Sequence, residues 1–258
     1  MKSTNKKIFS LTLLIGVVLM LAWLSLFLKS EGERPFEKIS IRGNILLSTS
    51  EYLRFLHLDN KDSYTFLNSK IVRDRFQKHP YVDFVQVEQF GNELQVEIGE
   101  KEISAILALD SLQLLVTESS QLVPYLDNTK AVNCPLILNP KLNNEINVMK
   151  SCLNQTDIVD ALKIVDVIKS NNEKFYSSIS EIDLRNGKDI LVTIEGMDYP
   201  IIIGRKNLVK KAFYLSSSLE YLINKSLSRL IKYVDFRFNN LAVFGFNDSL
   251  FVSKENRI

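Results

Sequence analysis

The chain has 258 residues, with 32 Lys and Arg against 30 Asp and Glu, a formal net charge of +2, and 46% hydrophobic residues. This balance, without any Lys/Arg-rich block interleaved with aromatics, argues against nucleic acid as a partner. The two cysteines, Cys134 and Cys152, sit in no CxxC or CxxH arrangement, and with only His57 and His79 beside them a zinc site is implausible.

The first element is an uncharged run from Ile8 to Leu28, bounded by Lys7 and Lys29. At ~1.5 Å per residue a helix of this length spans about 31 Å, close to the ~30 Å hydrocarbon core of a bilayer, so the run predicts a single transmembrane helix over 8–28. It exceeds the roughly 7 to 15 apolar residues of a signal peptide, and no small-x-small pair precedes Lys29-Ser30-Glu31, which favours an anchor over a cleavable leader. Lys2, Lys6 and Lys7, with no acidic residue beside them, place the tail 1–7 in the cytoplasm and the bulk of the chain outside it. Disulfides form there, but spacing alone does not pair Cys134 with Cys152, and two unpaired thiols are the simpler expectation.

Residues 29–35 (KSEGERP) suit a short tether. A strand follows with Phe36, Ile39 and Ile41, broken at Gly43-Asn44. Ser48-Thr49-Ser50-Glu51 has the spacing of a capping box ahead of a first helix. A second helix starts near Asn68-Ser69 and stops at His79, because Pro80 disfavours a helical residue before it. Val85 and Val87, a turn at Gly91-Asn92, then Leu94, Val96 and Ile98 read as a hairpin. The order strand, helix, helix, strand, strand over 36–104 fits a three-stranded sheet with both helices on one face.

From Ala105 the chain becomes strand-rich, with apolar segments at 106–116 and 135–138, and a second domain over 105–246 is predicted, followed by a tail, 247–258. Ile158, Leu162, Val165 and Ile168 predict a helix from Asp157 to Lys169, capped by Thr156 or Asp157. Ile182 to Ile203 reads as an antiparallel meander turning at Asn186-Gly187 and Glu195-Gly196. Leu208, Ala212, Leu215, Leu219 and Leu222 give one helix an apolar stripe that should lie across that sheet. The chain closes on Val234, Phe236 and Phe238, a turn at Asn239-Asn240, and a hydrophobic strand from Leu241 to Phe246. The fold class expected is α+β: one transmembrane helix, a β-α-α-β-β domain, then a larger mixed β domain with an antiparallel sheet and packed helices.

Catalytic constellations are missing. No GxSxG, HExxH, GxGxxG or P-loop pattern occurs, and His57 and His79 suit capping or surface roles. Neither catalysis nor a cofactor is expected.

The order of elements resembles the bacterial cell-division protein family FtsQ, also called DivIB. Ile39-Ser40-Ile41-Arg42-Gly43-Asn44 is similar to the opening of the FtsQ-type POTRA domain, and His79-Pro80-Tyr81-Val82 to its entry into the hairpin. Glu100-Lys101 resembles the family's interdomain junction, with Ile103 where proline is usual, and Tyr233-Val234-Asp235-Phe236-Arg237-Phe238 resembles its closing strand. The resemblance implies a scaffold without catalytic activity, at the division septum in the cytoplasmic membrane, that binds FtsB-like and FtsL-like bitopic partners. It also implies that the last strands receive a partner strand, at Tyr233, Phe238, Asn240, Ala242, Val243, Gly245 and Phe246. An exposed sheet edge is physically suited to this, since its unpaired backbone groups bond an extended segment. On a strand from 241 to 246, Leu241, Val243 and Gly245 face one side and Ala242, Phe244 and Phe246 the other. Asp235 and Arg237, two apart, are expected to be solvated. The alternative, a POTRA-containing periplasmic protein of outer-membrane protein transport or assembly, normally needs a barrel for which too few residues remain.

Overall fold

A computed structural model describes residues 13–23, 35–110, 112–222, 230–238 and 240–246. Residues 13–23 form a helix, α1, exposed along its length. This corrects the expected fold class: among the described residues no helix is long and apolar enough to cross a membrane. Eleven helical residues reach about 16 Å, roughly half of the hydrocarbon thickness. Ile8 and Leu28, the expected ends of the span, lie outside the described residues.

In the first globular unit, β1 (Lys38–Arg42) buries Ile39 and Ile41 on one side. It leads into α2 (Thr49–Phe55), where the Ser48 side chain accepts from the Glu51 N–H as the capping spacing predicts. A short 3-10 segment, Lys61–Phe66, precedes α3 (Ser69–Gln77), capped by Asn68, whose side chain accepts from the Ile71 N–H. Then come β2 (Val82–Phe90) and β3 (Glu93–Glu100), antiparallel, while β1 lies parallel to β3, giving the order β1-β3-β2.

Gly43 ends β1 at φ +83°, and a Cβ there would lie 2.0 Å from the Ile98 carbonyl oxygen. Only glycine fits both the backbone conformation and the space. The loop it opens is fastened by Glu100, whose carboxylate accepts from the N–H groups of Ile45 and Leu46 at 3.0 and 2.7 Å and from the Tyr52 hydroxyl at 2.5 Å. The Asn44 side chain closes the same loop on the Leu47 carbonyl.

The second unit is a nine-stranded mixed sheet. Its strands are β4 (Ile103–Ala108), β5 (Gln113–Thr117), β6 (Leu122–Pro124), β7 (Leu136–Leu138), β8 (Ile179–Asp183), β9 (Leu191–Ile194), β10 (Ile201–Ile202), β11 (Ile231–Asp235) and β12 (Val243–Phe246). They run in the order β12-β11-β10-β9-β8-β7-β4-β5-β6. β8, β9 and β10 pair antiparallel as the meander predicts, but β7 is parallel to both β4 and β8, and β10 is parallel to β11. Between β7 and β8 lie α4 (Thr156–Asn171) and the single turn α5 (Glu173–Tyr176). α6 (Leu208–Leu222) separates β10 from β11 and packs on α4.

The expected cap of α4 is replaced. Gln155 occupies the N-cap without a side-chain bond. The Asp157 carboxylate instead accepts from the Lys141 N–H at 2.7 Å and from Arg205 at 2.7 and 3.2 Å. Arg205 also donates to the carbonyls of Lys188 and Leu184, so one ion pair ties α4 to the chain before α6.

The two units share apolar packing through β5 and β6, because alternate residues of a strand face opposite ways. Leu114, Val116 and Leu122 join the core under α4, whereas Leu115 and Val123 join the core of the first unit. The fully buried Tyr81 seals the joint: its hydroxyl lies 3.0 Å from the Pro124 carbonyl and 2.8 Å from the Thr129 hydroxyl, and accepts from the Leu126 N–H at 2.9 Å. Lys101 adds a clamp, donating to the Pro80 carbonyl and the Gln121 side chain, each at 2.8 Å.

His79 departs from expectation. It is 1% exposed, its ring packed among Tyr52, Phe55 and Tyr81, rather than a cap or a surface group. Cys134 and Cys152 are free thiols, and burial pushes both thiols up from their ordinary value, Cys134 to about 12.

Candidate partner-binding edge

β12 is the last strand of the large sheet, and among the described residues nothing pairs with its outer side. It runs antiparallel to β11, with Phe244 opposite Val234, Gly245 opposite Tyr233 and Phe246 opposite Ile231. Its side chains are unusually apolar for an exposed strand: Val243, Phe244 and Phe246 are 38%, 41% and 47% exposed. Such a row of exposed apolar groups beside unpaired backbone is what an added strand buries.

The expected residues gather around this edge. Tyr233 lies half-buried on β11 with its ring across Gly245, where a Cβ would come within 2.3 Å of it. Phe238 is exposed just past β11, Asn240 sits at φ +58° in the connection, and Ala242 packs against the core. Phe238, Asn240 and Ala242 line an open groove of about 600 Å³ between α6 and β12. Lys210, Tyr214 and Phe244 line it too, and sequence reasoning had picked none of these as site residues. The available signal lies on α6, where Tyr214 is an exposed aromatic away from the buried stripe and faces the groove, while Val209 and Phe213 are exposed beside a neighbouring cleft.

Asp235 and Arg237 are not solvated separately. Asp235 is 3% exposed, and the Arg237 guanidinium bonds both of its oxygens from Nε at 3.0 Å and one from Nη2 at 2.6 Å. Arg237 reaches Asp189 as well, at 2.8 Å. Burial pushes the Asp235 carboxyl up, but the side-chain and backbone bonds from Arg237 outweigh it and hold the group below its ordinary value.

Among the described residues no group of three His, Cys, Asp or Glu is placed to hold a metal. Among the described residues β12 thus has an unpaired outer side, an apolar groove beside it and a charged network at the end of the strand behind it.

The fold defines an α+β protein whose first unit is a β-α-α-β-β domain joined to a nine-stranded mixed sheet. Residues 34–101 match the family model described as "POTRA domain, FtsQ-type". The chain therefore carries an FtsQ-type POTRA domain, in support of the resemblance to the FtsQ/DivIB family, and that domain points to a scaffold associated with cell division. A comparison with curated proteins finds no match.

Proposed function

We propose that this protein is a non-enzymatic scaffold of the bacterial division machinery, acting at the septum, whose large sheet receives an extended segment of an FtsB-like or FtsL-like partner along β12. The observation that carries this reading is the open β12 edge, with Phe246, Phe244 and Val243 exposed on it and the α6 groove alongside. The FtsQ-type POTRA domain supports the division setting. The POTRA unit contributes a second contact surface and shares its apolar core with Leu115 of β5 and Val123 of β6.

The test is co-purification of the tagged full-length chain with its division partners. Phe246→Asp puts a desolvation penalty against the added strand, at the end of β12, while changing an already exposed side chain. We expect capture to fall at least ~10-fold with the melting temperature within about 2 °C of wild type. Undiminished capture by that variant, or normal septation after depletion of the protein, refutes the proposal.

A further inference from the structure

β12 has a single strand behind it, so its position depends on what holds the connection from β11. That connection leaves β11 at Asp235 and re-enters the sheet at Val243, opposite it in register. Its first turn is fixed from the α6 side. Lys211, 6% exposed, extends its ammonium under the connection and donates to the Arg237 carbonyl at 3.2 Å and to the Ile203 carbonyl, just past β10, at 3.0 Å. Its neighbour Lys210 donates to the Asn240 side chain at 2.9 Å further along the same connection. A buried ammonium is costly unless its donors are used, and here they bridge two backbone carbonyls on adjacent strand ends. Asp235 and Asp189, held against Arg237, supply the compensating negative charge nearby.

We infer that Lys211 is a positioning residue for partner binding: nearly buried at the floor of the groove, it acts through its two carbonyl bonds, which hold the β11–β12 connection so that β12 presents a straight, register-true edge. This inference rests on reading β12 as the receiving edge. A core lysine serving only overall stability would protect all of the sheet alike. A positioning lysine protects the part of the sheet beyond its bonds.

Hydrogen exchange by mass spectrometry on the full chain separates the two. In Lys211→Met, which fills the space but donates nothing, the amides of Val243 to Phe246 should exchange roughly tenfold faster while those of α4 and β8 keep their wild-type rates. The milder Lys211→Gln, which retains an amide donor, should fall between and carries the test if the methionine variant does not fold. Equal acceleration throughout the sheet, or no change at 243–246, overturns the inference. Partner capture, measured in parallel, should drop with the loss of protection. Faster exchange at β12 with undiminished capture overturns the inference, because Lys211 then holds the connection without serving partner binding, while the receiving-edge reading is decided separately by Phe246→Asp. Loss of capture in Phe246→Asp together with unchanged exchange in Lys211→Met keeps that reading and overturns the inference alone.

Discussion

Lowering the pH should unfasten this protein at one histidine. The His79 ring lies 4.5 Å from the ring centroids of Tyr52 and Phe55 and 5.5 Å from that of Tyr81. Its Nδ1 accepts the Tyr81 N–H at 3.1 Å, so the imidazole is neutral with its proton on Nε2, which has no hydrogen-bond partner. Burial first, and the Lys101 charge second, hold its pKa down at about 4 against an ordinary 6.5. The unfolded chain thus takes up a proton near 6.5 that the folded chain refuses until about 4. Stability is complete above 6.5 and falls as the pH drops from 6.5 towards 4. At ~1.4 kcal/mol per tenfold, the loss reaches about 2.5 kcal/mol by pH 4.5. Urea unfolding from pH 7.5 to 4.5 measures it, with His79→Asn as reference, because the amide oxygen keeps an acceptor for Tyr81 but does not titrate. Carboxylate titration is common to both chains and cancels in the difference. Wild type should lose about 2.5 kcal/mol more than the variant over that range. Curves that run parallel within about 0.5 kcal/mol would mean that His79 is not held neutral by this cage.

Two further outcomes follow from the joint and from the first loop. Tyr81→Phe removes a hydroxyl that satisfies the Leu126 N–H and the Pro124 carbonyl, at a cost of about 2–4 kcal/mol, or roughly 5–12 °C in a chain of this size. Differential scanning calorimetry reads this directly, and a drop below about 2 °C would mean that the hydroxyl does not bind the two units together. Gly43→Ala meets the Ile98 carbonyl and an unfavourable φ at once and should cost more than ~3 kcal/mol in chemical denaturation. Gly91→Ala, at φ +61° but with open space around it, should cost about 1 kcal/mol, and comparable losses at both sites would contradict the steric account of Gly43.

What the sequence discloses is what neighbouring residues decide. Ser48 and Asn68 cap their helices, and β2 and β3 turn at Gly91-Asn92, because each feature is settled within a few residues. Asp157 misleads for the opposite reason. Its type and place suit a cap, but a guanidinium 48 residues away claims the carboxylate, and long-range charge pairing outweighs a local bond. His79 and the Asp235–Arg237 pair were misjudged likewise, since polarity predicts exposure only until a partner or an aromatic cage is supplied from elsewhere. The parallel pairings of β7 with β4 and β8 join segments separated by long connections, and no local pattern encodes them. At the candidate edge, Phe238 and Phe246 are legible from the resemblance, whereas the bonds of Lys210 and Lys211 depend on how α6 packs against the β11–β12 connection, which no local pattern encodes.

Two of the outer strands, β2 of the first unit and β12 of the large sheet, differ in how they meet solvent. In the POTRA unit the outer strand β2 carries the irregularity itself: Val82 pairs with Glu100 and Phe84 with Gly99, which leaves Asp83 as an extra residue on the edge. The Phe84 ring folds inward over Gly99 of β3, so it leaves the bulge itself as the feature that bends the start of this edge. A bulge on the outer strand interrupts the ladder that an incoming segment would extend. In the large sheet the positions are exchanged. The extra residue, Lys232, falls on the inner strand β11, between the pairs Ile231–Phe246 and Tyr233–Gly245, while β12 runs through the same stretch without one. Here the glycine, Gly245, is on the edge strand and the Tyr233 ring of the inner strand lies over it. An added strand therefore meets a regular ladder at β12 and a broken one at the start of β2. This asymmetry, more than exposed apolar area, favours β12 as the receiving edge, because Phe84 and Phe90 make β2 comparably apolar.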